Sequence, residues 1–164
     1  MADNFLAKLF EHNHWANHKI IAACSALRDE QLDAAPQSAT EGNIRSTLTH
    51  LVGSQHGYLS LLTLPVEARV RISPTSPEWA ESAERSGAGL LALARGDTQP
   101  LQNPLQTTDG FFVDPWVVMV QIINHATEHR EQIKSMMSAL GITPPSIDGW
   151  DYGEVTNTLV PIAK

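Results

Sequence analysis

One cysteine, Cys24, stands in a chain of 164 residues. No internal disulfide can form, and a lone cysteine fits a reducing compartment. Basic clusters are missing as well: there is no lysine or arginine run, and the formal net charge is −7. That argues against general nucleic-acid binding, in which cations neutralise phosphates. Nothing approaches an uninterrupted transmembrane run, so no membrane partner is expected. The opening MADNFLAKLFEHNHWANH carries acids and lacks the basic, apolar, small-residue order of a signal peptide, which makes cytoplasm the expected address. The chain also has no Gly-x-Ser-x-Gly elbow, no glycine-rich phosphate loop and no convincing period-2 strand.

What the chain does have is helical periodicity. The expectation is an all-α fold, a four-helix bundle in one domain over residues 1–164, with a long connection before the last bundle helix. The first helix is expected over about residues 3–27, burying Leu6, Leu9, Asn13, Ala16, Ile20, Ala23 and Leu27. The second follows the N-cap Asn43 and runs to about Thr63, before Pro65, with Ile44, Leu48, Leu51, Gln55, Tyr58 and Leu62 inward. The third opens at Ser76-Pro77 and closes at Gly96, although Gly87 and Gly89 lower its helix propensity. The fourth begins at Asp114-Pro115 and ends before Gly141, a natural left-handed cap. Residues 97–113 form the long connection, of the kind that often supplies a lid or a site wall. In the tail, residues 144–164, Trp150 and Tyr152 are expected to pack across the bundle end.

Within the fourth helix, His125 and His129 stand four residues apart, on one face. They fall on the stripe Val118, Ile122, His125, His129, Ile133, Met136 and Leu140, which places them on the buried side. Two neutral imidazoles there need partners, and one metal ion would satisfy both. His50, mid-way along the second helix, is the best third ligand, because an antiparallel bundle brings it to the same height. Three neutral nitrogens leave an open position for water or substrate. No CxxC or acid-rich helix offers to close the shell. A rival pair, His14 and His18, points away from the first helix's stripe and reads as surface. His12 lies near the core edge and could border the site; His56, Glu128 and Glu131 read as exposed. Cys24 reads as inert packing.

These residues resemble the DinB-like (DinB/YfiT) metal-binding four-helix bundles. Asn13-His14-Trp15-Ala16-Asn17 is similar to the family's Asn-x-Trp-Ala-Asn. His50-Leu51-Val52-Gly53 stands where members carry a ligand histidine, and Asn124–Ile133 resembles Asn-His-x-x-x-His-Arg-Gly-Gln-Ile. The chain departs from the pattern at Gln55, often acidic, at Tyr58, commonly tryptophan, and at Glu131, usually glycine. The resemblance implies that His50, His125 and His129 bind one divalent metal ion, zinc or nickel. It implies a thiol S-transferase using a low-molecular-weight thiol, such as bacillithiol or mycothiol, and a small electrophile. A hydrolase acting through water at the open position, and a non-catalytic binder of metal or small ligand, are the alternatives. A homodimer is also expected. Trp116, Val117, Met119, Val120 and Met137 lie outside the inward stripe of the fourth helix.

Overall fold

A computed structural model describes residues 4–36 and 42–162. Its long helices are α1 (Phe5–Ser25), α3 (Ile44–Thr63), α4 (Trp79–Arg95) and α5 (Pro115–Ala139). Two short ones, α2 (Asp29–Asp33) and α6 (Gly149–Val155), flank them. The expected first-helix start at residue 3 and the end of the tail lie outside the described residues. Most of the punctuation foreseen in the sequence is present. The exception is the third helix, where Thr75, and not Ser76, caps a 3-10 turn (Ser76–Glu78) that leads into α4. The Asn43 side chain accepts the Ser46 N–H at 2.8 Å, Pro115 opens α5, and Gly96 and Gly141 close α4 and α5 with φ of +82° and +73°. Asn4 caps α1 by accepting the Ala7 N–H.

Cross-contacts fix the helix directions. Asn4 reaches the Ala94 carbonyl and His14 meets Gly87, so α1 and α4 are antiparallel. The Trp79 indole donates to Thr49, Gln55 reaches Ala83, and Leu59 packs at Gly89; α3 and α4 therefore run the same way. α5 runs against both, beside α1. The connection that crosses the bundle length is thus residues 64–78, between α3 and α4. The long 97–113 connection spans one end of the bundle, from the end of α4 to the start of α5 on the opposite corner. It also holds a two-residue antiparallel pair, β1 (Leu105–Gln106) and β2 (Phe112–Val113), too short to leave a period-2 signal. Among the described residues no helix is long and apolar enough to cross a membrane.

Gly87 and Gly89 do not interrupt α4; they let neighbours in. A Cβ at Gly89 would fall 2.7 Å from Leu59 Cδ2, and one at Gly87 would overlap the His14 imidazole. The helix accepts about 1 kcal/mol of lost propensity at each glycine in exchange for close approach.

The buried face of α1 is rotated from the expected one. Ala7, Phe10, Asn13, Asn17, Ile20, Ile21 and Cys24 face inward, whereas Leu6 and Leu9 are 43% and 53% exposed. The reason is polar. Apolar clusters fill the two ends of the bundle, one around Ile20, Leu48, Trp79 and Met136, the other around Phe10, Leu62, Leu90 and Ile122. Between them runs a buried hydrogen-bond chain through all four long helices. Arg130 Nη1 donates to Asn13 Oδ1 at 2.6 Å and Asn17 Oδ1 at 2.7 Å. Asn17 donates to Gln55 Oε1 at 2.7 Å. Gln55 in turn donates to the Ala83 carbonyl and to Ser86 Oγ. Asn13, Ala16 and Ile20 are buried as expected, and Asn17 is the inward residue that the stripe missed.

At the tail, Tyr152 packs on Trp15 and His12, but Trp150 is 73% exposed and does not cover the bundle end. Cys24 is fully buried, and burial pushes its thiol up to about 12. Native protein is therefore expected to resist alkylation at pH 8, while unfolded protein takes up one equivalent of iodoacetamide. Rapid native labelling followed by mass spectrometry would contradict that placement.

Candidate metal centre

α3 and α5 run antiparallel, and this brings His50 level with His125 and His129. The ring centroids lie 5.0 Å (His50 to His125), 4.8 Å (His50 to His129) and 4.3 Å (His125 to His129) apart. His125 Nε2 sits 3.0 Å from His50 Nε2 and 3.1 Å from His129 Nε2. One imidazole nitrogen has either one proton or one in-plane lone pair, so it cannot serve both neighbours well by hydrogen bonding. A single ion can. Nitrogens bound at about 2 Å in tetrahedral geometry stand about 3.3 Å apart, close to the spacing seen. The chemistry of this donor set fits a metal ion, and the three ligand atoms fall within 4.8 Å of one another.

The pair on α5 lies beside the buried stripe, half-buried, and not on it. The fully buried positions at this level are Ala126 and Arg130, because the asparagines of α1 face the arginine. His125 and His129 consequently open outward, toward the exposed His50. Even so, burial first, and then the neighbouring His129 and His50 rings, push His125 down to about 4. At neutral pH it is the uncharged form that binds metal.

The tautomer of His129 is fixed by a residue that spacing alone did not single out. Its Nδ1 lies 2.7 Å from Gln132 Oε1. The amide oxygen accepts the Nδ1 proton, which leaves the lone pair on Nε2, facing the cluster. The signal was present in the sequence, three residues beyond His129 on the same helix. Replacing Gln132 by leucine is expected to weaken metal binding by about 10- to 100-fold with the fold intact. Competition against a chelating dye checks it, and unchanged affinity would remove Gln132 from this role.

His50 and His125 line an open cleft of about 1210 Å³. Thr107, Thr108 and Asp109 form part of its wall, as expected of the 97–113 connection. The rest comes from the crossing segment, which contributes Arg69 and Arg71. Arg69 donates through Nε to the Leu64 carbonyl at 3.0 Å and through Nη1 to the Gln106 carbonyl. Its Nη2 is buried without a partner. Nothing in the spacing of these arginines connects them to the histidines; only the crossover brings them together.

Other expectations need correction. His12 does not border the site, since its Nε2 donates to the Ile147 carbonyl at 3.0 Å and holds the tail. Gln55 is inward as expected, as a link in the buried hydrogen-bond chain. His56 is half-buried. His14 and His18 are not free surface rings, because both approach Glu84 of α4. Glu128 and Glu131 are exposed, as expected, and Glu131 pairs with Lys134. No curated protein matches the chain. The model of the DinB family, by contrast, matches residues 1–161. With a helical bundle that raises three histidines to one level of α3 and α5, the chain belongs to the DinB family.

Proposed function

We propose that His50, His125 and His129 bind one divalent metal ion, zinc or nickel, and that the protein is a metal-dependent transferase joining a low-molecular-weight thiol to a small electrophile. The observation that carries this reading is the convergence of the three imidazoles, two of which, His50 and His125, line a cleft large enough for two small molecules. A divalent ion there would supply the charge that draws the proton from a coordinating thiol. The three ligands are neutral, so they leave that charge undiminished. The thiol reading is preferred to hydrolysis on acidity: a thiol gives up its proton near pH 8.5 and water only near 15.7. Asp109 on the cleft wall is exposed and makes no contact that would set it as a base.

The chain's own groups then position the reactants. Arg69, held on the cleft wall by two backbone carbonyls, sets a positive charge there that would favour a carboxylate or phosphate on the thiol or electrophile. Ser54 Oγ, 3.5 Å from His50 Nε2, stands at the mouth of the cluster, and the Tyr58 ring packs edge-on to His125 and holds its plane. To test the reading, metal-loaded protein is incubated with a reactive electrophile, with and without bacillithiol, mycothiol or glutathione, and thiol loss is followed. Thiol-dependent turnover that disappears in His50→Ala supports the transferase. Turnover in water alone makes the protein a hydrolase, and no turnover with any thiol favours a binding role.

The reading extends to a homodimer. Trp116, 65% exposed, and Val120 are exposed apolar residues of α5, and Phe112 of the hairpin is exposed as well. Met119 and Met137, which the sequence put with the same surplus, are buried in the chain's own core. Light scattering is expected to give twice the chain mass at micromolar concentration; a monomer mass would end this part of the reading.

A further inference from the structure

We propose a second divalent-metal site, separate from the first, formed by His14 and His18 of α1 and Glu84 of α4. The two imidazoles repeat the arrangement of the first pair. Their centroids lie 4.6 Å apart at 76°, against 4.3 Å at 77° for His125 and His129. In each case the pair is i,i+4 on one helix and the third donor comes from the helix alongside. His14 Nε2 and His18 Nε2 lie 3.2 Å and 3.0 Å from the same oxygen, Glu84 Oε2. All three ligand atoms fall within 4.8 Å of one another.

Two details separate this cluster from an ordinary surface ion pair. His18 Nε2 is buried and, despite the 3.0 Å approach, makes no hydrogen bond. Nitrogen and carboxylate oxygen converge without hydrogen-bond geometry, as two ligands of one ion do. His14 is also let into the interface by design of the backbone, since any side chain at Gly87 would overlap its ring. Its Nδ1 is buried there without a partner, which leaves Nε2, on the Glu84 side, as the nitrogen available to a ligand. An ion pair would further need a protonated ring, and burial beside α4 holds His14 below its ordinary value. Two neutral imidazoles and one carboxylate suit zinc or a similar first-row divalent ion, with water completing the shell. Such an ion would tie α1 to α4.

Calorimetric titration of tag-free, metal-stripped protein with zinc chloride tests the site. Wild type is expected to bind two equivalents, and His125→Ala, which lacks the first centre, one. In the His125→Ala background, adding Glu84→Gln or His18→Ala should weaken that remaining event by at least about tenfold. Glu84 is 61% exposed, so its replacement leaves the fold intact. Zinc should raise the Tm of His125→Ala and not that of His125→Ala/Glu84→Gln, because the ion binds only the folded arrangement. Absence of zinc binding in His125→Ala, or binding there that neither added substitution alters, would overturn the site.

Discussion

Protein carrying His125→Ala is expected to lose one equivalent of tightly bound divalent metal per chain, and His50→Ala to do the same. His125 Nε2 is the nitrogen nearest both other ligands, so its removal leaves two donors that no longer converge. Changing a residue that only supports a ligand costs about 10- to 100-fold in metal affinity, and removing a ligand costs more than that. The ring is half-buried at the cleft wall, where truncation opens no closed cavity, and the helical fold should persist. His56→Ala is the control, because that ring lies outside the cluster. Metal analysis of tag-free protein decides it: equal metal content in wild type, His50→Ala and His125→Ala would sink the assignment.

Arg130→Ala should be the most destabilising single change in the bundle. Arg130 is 4% exposed, and among the described residues its hydrogen bonds go to neutral oxygens, those of Asn13, Asn17 and Thr127. Burial pushes it down to about 10, still cationic at neutral pH. Truncation strands the amide oxygens of Asn13 and Asn17 inside the core. Each buried group left unsatisfied costs about 1–3 kcal/mol, and the lost bonds to a charged donor about 1.5–3 kcal/mol each. A loss of 3 kcal/mol or more by urea unfolding is expected, and a Tm lower by roughly 10 °C. Lysine should rescue it only in part: one ammonium can serve both asparagines, as Nη1 does, but it cannot also occupy the Nη2 position that reaches Thr127. Asn17→Ala combined with Arg130→Ala should cost less than the two separate losses added together, because the residues share one network. Additive losses, or a total below about 1 kcal/mol, would show that the chain of bonds contributes little.

Much of the architecture was legible because it rests on local rules. Asn43, Pro115, Gly96 and Gly141 start or stop helices through caps and backbone geometry that act within a few residues. The 3.6-residue period marks helix class for the same reason. Register of a face is less local. Asn13 lies on the expected face. Leu6 and Leu9 outweigh Asn17 on any apolar scale, yet Asn17 is buried, because Arg130 lies 113 residues away in sequence and needs it. The candidate centre divides in the same way. His125 and His129 meet through i,i+4 spacing on one helix, and His50 joins them once α3 and α5 run antiparallel.

The sequence by itself therefore determined the four long helices, most of their caps, the family pattern and the three histidines that share one level; the short α2 and α6 left no such signal. Tertiary structure decided the rest: that α3 and α4 run parallel, with the crossover bringing Arg69 to the cleft, that Gln55 serves the core, and that Glu84 meets His14 and His18 across Gly87. The physical reason is range. Caps and periodicity act over one or two turns of chain. A buried charge, an orphaned nitrogen or a close helix crossing is satisfied by whatever residue packing brings near, however distant it is in sequence.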